Sequence, residues 1–236
     1  MSLVRFGVAA LCAASFGWGC SRGAPAPLKA ELNEPRPTTA ALTAPPQTPP
    51  TSGADSARLG APAPDFELPD LDGKLVKLAS FRGHTVVLEW FNPGCPFVNA
   101  SHTKGSLVDT ASRQIKNGIV WLAVNSGAPG KQGQGVAANR AGKERFKLEH
   151  PILLDEAGTV GHAYAAAHTP HLFIIDAKGV LVYRGAIDNS PDAEGQSPTG
   201  GKLVNNVDAA LADLKAGRAV ATPETEAYGC SVKYQK

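Results

Sequence analysis

The stretch TVVLEWFNPGCPFV, residues 85–98, joins an apolar, β-branched run to Asn-Pro-Gly-Cys-Pro, and its reading decides the fold. Residues 85–91 have the length and composition of a strand buried on both faces. Pro93 and Gly94 turn the chain. Pro96 suits the first turn of a helix, where the N–H it lacks would have no intrahelical partner. Cys95 therefore stands where a strand ends and a helix begins. At that position, unpaired backbone N–H groups and the positive end of the helix dipole stabilise a thiolate. The flanking Pro and Gly also predict a bent loop that reaches the surface, a poor setting for an inert buried cysteine.

Outward from this junction the pattern of strands and helices continues. Residues 119–125 (IVWLAVN) read as a second central strand. Residues 171–176 (HLFIID) and 180–184 (VLVYR) flank Ala-Lys-Gly and predict an antiparallel hairpin. Helices are expected from 96 to about 116, and over 134–146, 159–166 and 202–216. Alternating elements of this kind build an α/β domain whose sheet is covered on both faces. Gly127 to Gly135 with Lys131 lacks the spacing of a phosphate loop and reads as a flexible connection. Residues 188–200 form a long loop after the hairpin, a possible rim to the site around Cys95.

The N-terminal part has a different character. Arg5 precedes an apolar run from Phe6 to Phe16 that is too short to span a bilayer, the pattern of an export signal over residues 1–20. Gly17-Trp-Gly-Cys20 resembles a bacterial lipobox, which makes Cys20 the expected lipid-attachment residue; ordinary secretory cleavage nearby is the alternative. Ser21 after that cysteine directs the expectation to the outer membrane of the cell envelope. Residues 21–57 hold eight of the chain's 19 prolines with many Ala and Thr, and read as an extended disordered linker. The folded domain is expected over 58–218, followed by a tail, 219–236, that carries Cys230.

Charge and composition narrow the classes. The net charge of +2 comes without a basic stripe, which argues against a nucleic-acid partner. No cofactor motif stands out. Of the four cysteines, Cys12 leaves with the signal and Cys20 is lipidated, so Cys95 and Cys230 remain as the domain's thiols. An exported compartment permits a disulfide between them, structural or catalytic. Glu89 lies in a strand too apolar to solvate a carboxylate, which predicts a raised pKa; pairing with a Lys or Arg, or an exposed strand face, are the alternatives.

Strand, Cys-Pro helix start, and His168-Thr169-Pro170 ahead of the hairpin together resemble the thioredoxin superfamily. The resemblance implies a thioredoxin-like fold with a central mixed β-sheet flanked by helices. It also implies a cis Pro170 opposite the thiol, and Thr169 backbone facing Cys95 and its substrate. Glu89, six residues before Cys95, matches the family's buried acid, which would exchange protons with the thiol. Val98 replaces the second cysteine of Cys-x-x-Cys. Leu88 and Asn92 replace the proline and hydroxyl residue of the peroxiredoxin motif, and Pro170 stands where peroxiredoxins place an arginine. Across residues 58–236 the chain is similar to the peroxiredoxin-like branch of the redoxins, related to alkyl hydroperoxide reductase and thiol-specific antioxidant proteins. The segments that carry this are 87–90 with 95–98, 124–126 with 129–131, 169–170, 183–188 and 229–233.

That branch implies a thiol oxidoreductase. Cys95 would attack a peroxide or disulfide, Cys230 would resolve the product, and an external thiol reductant would restore both; a tail staple or a free thiol are the other readings of Cys230. The rival is copper binding or delivery, since copper-delivery proteins of this fold use Cys-x-x-x-Cys and a distant His. Asn99 fills the second cysteine position here, leaving Cys95, Cys230 and His168 or His171 as the best-placed ligands, with His102 and His162 as further options.

Overall fold

The structure, a computed structural model, describes residues 56–236; the expected signal, Cys20 and most of the linker lie outside the described residues. The first elements are a short antiparallel hairpin, β1 (Glu67–Pro69) and β2 (Leu75–Lys77). The strand read from the opening stretch is β3 (Val86–Trp90), buried at every position. Next come α1 (Pro96–Thr103), α2 (Thr110–Lys116), β4 (Val120–Asn125), α3 (Gly135–Phe146), β5 (Ile152–Leu154) and α4 (Thr159–Ala163). The second half holds β6 (His168–Thr169), β7 (His171–Ile175), β8 (Leu181–Gly185), α5 (Asn206–Lys215) and β9 (Cys230–Ser231).

The main sheet has the order β5-β4-β3-β7-β8, with β3, β4 and β5 parallel and β7 and β8 antiparallel. It is the mixed sheet of a thioredoxin-like fold. Alternation along β3 assigns its faces. Leu88 and Trp90 pack with Leu122, Phe173 and Tyr164 on one side, beneath the N-terminal segment and α4. Val87 packs on the other with Trp121, Ile174, Ala111 and Leu211, beneath α2 and α5. Phe91, Cys95 and Val98 form a third cluster where α1 meets the sheet.

The single helix expected from 96 to about 116 is two helices. The chain breaks at Gly105, where a side chain would collide with the Ala193 carbonyl of the long loop packed against it. The α4 and α5 helices are shorter than expected. Gly158 in a left-handed conformation opens α4, and Asn205, whose side chain accepts from the Asp208 N–H, caps α5.

Candidate active site

Cys95 is the N-cap of α1, reached by a turn in which its N–H donates to the Asn92 carbonyl. Four side chains fix that turn, one of them Gln132, which donates to the Gly94 carbonyl at 3.0 Å. Asn92 accepts from the Gly94 N–H (2.8 Å) and donates to the Gln132 carbonyl; Asn99 donates to the Cys95 and Pro93 carbonyls; Arg145 donates to the Pro93 carbonyl at 2.6 Å. Gly133, at φ 74°, approaches the Asn92 side chain too closely to carry a Cβ. The loop read as a flexible connection is thus a brace for the active turn, a role its composition did not reveal.

The Thr169–Pro170 bond is cis, and the Cys95 thiol donates to the Thr169 carbonyl at 3.1 Å. Cys230 completes the group. The β9 strand pairs antiparallel with β6, placing Cys230 opposite Thr169. Residues paired across a ladder send their side chains to the same face, so the Thr169 hydroxyl and the Cys230 thiol share the side on which Cys95 lies. The turn into β9 requires Gly229: its φ is 117°, and a Cβ there would collide with the Thr169 carbonyl.

The two thiols ionise very differently. Burial pushes Cys95 up, but the Cys230 thiol, the Thr169 hydroxyl and the Val98 and Cys230 N–H groups stabilise its thiolate and hold its pKa below the usual thiol value. The Thr169 hydroxyl makes no hydrogen bond while the thiol is neutral, so it is free to turn to the anion. Burial, together with the neighbouring Cys95, pushes Cys230 up to about 11. Cys95 is the thiol that loses its proton first.

Two expectations need correction. Cys95 does not reach the surface: its exposure is 0%. Part of the cover is the tail, whose Cys230 lies against it, a long-range contact that no local pattern announced. Nor is the Glu89 carboxyl raised. Burial alone would lift it, but His102, on α1, donates from Nε2 to Oε1 at 2.7 Å and Trp121 donates from Nε1 to Oε2 at 3.0 Å, and Glu89 sits below the usual carboxylate range. The partner is a histidine rather than a Lys or Arg. Both carboxylate oxygens are engaged, and no hydrogen bond joins Glu89 to Cys95 among the described residues. Its visible role is to bind α1, through His102, to the centre of the sheet.

This pairing predicts a pH-dependent stability. With its folded pKa depressed, Glu89 contributes stability that is fully present above the unfolded value of about 4.3 and lost as pH falls through the folded value. His102→Ala strands a buried carboxylate and is expected to destabilise by about 3–5 kcal/mol at neutral pH. In urea unfolding across a pH series, the gap from wild type should narrow as pH falls, beginning above about pH 4.3 because burial lifts the unpartnered carboxyl of the variant; a gap of constant size would remove the His102–Glu89 bond as its cause.

The histidines of the copper reading do not join Cys95 and Cys230 in a metal-binding group, and His168, in β6, is paired with Ser231. His171 lies in β7 with its ring against Phe173, and burial, then His168 and Arg184, push it down to about 4. His162 stacks on Tyr234, and His102 is engaged by Glu89. Among the described residues no three His, Cys, Asp or Glu side chains form a group able to hold a metal.

Residues 58–199 match the Redoxin family. The chain belongs to that family. It is 34% identical over 122 residues to the thiol-disulfide oxidoreductase ResA of Geobacillus thermodenitrificans, covering 51% of this chain and 65% of that protein. It is also 26% identical over 137 residues to the chloroplastic peroxiredoxin Q of Triticum aestivum, covering 52% of this chain and 57% of the relative. Less than two thirds of either relative is therefore matched. Among solved structures, a hypothetical protein of Sinorhizobium meliloti superimposes with TM-score 0.65 at 28% identity, covering 76% of this chain and 96% of that one. An uncharacterized conserved protein of Geobacillus kaustophilus gives 0.64 at 30%, covering 75% and 93%.

Proposed function

We propose that this redoxin is a two-thiol oxidoreductase in which Cys95 is the nucleophile and Cys230 resolves the product. The observation that carries the reading is the pairing of Cys230 with Thr169, which puts a weakly acidic thiol beside a more acidic one. With a peroxide, the Cys95 thiolate attacks one oxygen, the O–O bond breaks, and the alcohol or water leaves after taking a proton. Cys230 sulfur then attacks the sulfenic sulfur of Cys95, forming the Cys95–Cys230 bond as the S–O bond breaks, and the hydroxide leaves as water with the proton that Cys230 gave up. With a disulfide substrate, Cys95 first forms a mixed disulfide and Cys230 expels the second substrate thiol. In both cases an external thiol reductant returns the two electrons.

The raised pKa of Cys230 fits its later turn. Part of the increase comes from the Cys95 thiolate beside it, and that charge disappears once Cys95 is oxidised. Cys230 thus waits protonated during the first attack and becomes easier to ionise for the second. Peroxide is the substrate favoured by the burial of Cys95, because a small molecule needs less displacement of the tail than a polypeptide disulfide does. Export, with tethering through Cys20 to the cell envelope, rests on the sequence of residues 1–20 and belongs to the same proposal.

The test is intact-mass analysis after one equivalent of hydrogen peroxide. Loss of two hydrogens, with Cys95 and Cys230 in one linked peptide pair that dithiothreitol separates, is expected. Stable Cys95 sulfinate beside a free Cys230, or no oxidation of either thiol, would overturn the assignment.

A further inference from the structure

Asp188, in the loop after β8, is 1% exposed, and one of its carboxylate oxygens, Oδ2, has no hydrogen-bond partner. Leaving a buried carboxylate incompletely satisfied is unfavourable by several kcal/mol unless another contact offsets it. The other oxygen makes that contact. Oδ1 accepts from the Tyr228 hydroxyl at 2.8 Å and from the Ser190 N–H at 3.0 Å. An asparagine would serve the Ser190 turn equally well; what the carboxylate adds is a strong acceptor for the phenol.

Tyr228 stands two residues before Cys230, and its ring lies 6.3 Å from that of Phe97, two residues after Cys95. One tyrosine therefore touches the neighbourhood of both thiols and is bonded to the long loop after β8. Beyond Cys230 the tail is fixed again: the Val232 N–H donates to Ala167, the Ala128 N–H to the Lys233 carbonyl, and the Tyr234 hydroxyl to Ala166. A ladder of two residues, β6 with β9, holds little by itself. Its register over Cys95 depends on the anchors at its ends; on the N-terminal side Thr225 is bonded to Tyr183, Arg184 and Ala186, and Tyr228 with Asp188 forms the anchor that lies nearer Cys230.

We propose that Asp188 and Tyr228 are positioning residues for the resolving thiol, holding Cys230 at Cys95 by a phenol-to-carboxylate hydrogen bond. The inference rests on the two-thiol reading above. Its energetic expression is effective concentration: the more firmly the tail is held, the more the internal disulfide is favoured over mixed disulfides with a free thiol. The long loop thereby acquires a function as the fixed wall to which the tail is tied.

The experiment equilibrates the full chain in glutathione buffers, where the reduced dithiol and oxidised glutathione exchange two electrons to give the Cys95–Cys230 disulfide and two reduced glutathiones. Tyr228→Phe keeps the ring on Phe97 and removes only the hydroxyl; it should lower this equilibrium constant by roughly tenfold, the effect of one hydrogen bond to a charged group. Asp188→Asn keeps the Ser190 turn and an uncharged acceptor, and should fall between the wild type and Tyr228→Phe, whereas Asp188→Leu should match Tyr228→Phe. A purely structural loss would weaken reduced and oxidised protein alike and leave the constant unmoved. An unchanged constant in Tyr228→Phe overturns the positioning role while leaving the two-thiol reading intact. Failure of the wild type to form the disulfide at any glutathione ratio overturns both.

Discussion

Cys95→Ser should lower single-turnover reduction of hydrogen peroxide by more than roughly 10³-fold, the scale on which removal of a covalent nucleophile acts. A serine hydroxyl in the same place accepts the same neighbours but does not ionise near neutrality, and oxygen is the poorer nucleophile toward peroxide. Cys230→Ser should behave differently. It keeps a hydroxyl donor beside the Cys95 thiolate, so the first attack changes little, but the sulfenic acid it leaves has no internal partner. Stopped-flow mixing with one equivalent of peroxide, followed by dimedone trapping, separates the cases: no adduct in Cys95→Ser, and a persistent Cys95 adduct in Cys230→Ser where wild type yields disulfide. Dimedone adduct on Cys230 in the Cys95→Ser protein, at a wild-type rate, would reverse the two roles.

What the sequence made legible was whatever depends on neighbours along the chain. The strand at 86–90, the helix start at Pro96, the hairpin around 177–179 and the cis Pro170 all rest on short runs or on a resemblance carried by short runs. Cys95 and Thr169 follow from the same signals. What it concealed depends on contacts across long separations. The break at Gly105 is explained by Ala193, and the turn at 92–95 is braced by Gln132 and Arg145. His102 had appeared only as a possible metal ligand. Its place seven residues after Cys95 brings it two turns along the same helix face, back over the sheet at Glu89, a juxtaposition that helical periodicity allows but does not single out. The burial of Cys95 was the least readable feature, because part of its cover comes from the tail more than 130 positions later.

That cover leads to the other large effect. Deleting residues 229–236 should expose Cys95 to alkylation, and the change has two components of opposite sign. The first is access. With 0% of Cys95 exposed, reaction in the full chain requires the tail to open, and its rate is scaled by the open population. Opening breaks the β6–β9 pairing and the bonds of Val232, Lys233 and Tyr234, so the closed state should be favoured by on the order of 2–3 kcal/mol, or about 10²-fold. The second is acidity. The deleted segment supplies the Cys230 thiol and N–H that lower the Cys95 pKa, so the truncated protein holds less thiolate at neutral pH. A single-pH measurement would mix the two, and a pH–rate profile with iodoacetamide separates them. Its high-pH plateau, where the thiol is fully ionised, reports access alone and should rise by about 10²-fold. Its midpoint reports acidity and should move up. Cys230→Ala, which leaves the strand in place but removes the side-chain donor, should shift the midpoint in the same direction with little change in the plateau. If the plateau of the truncated chain matches that of the full chain, while circular dichroism shows both folded, the tail does not shield Cys95.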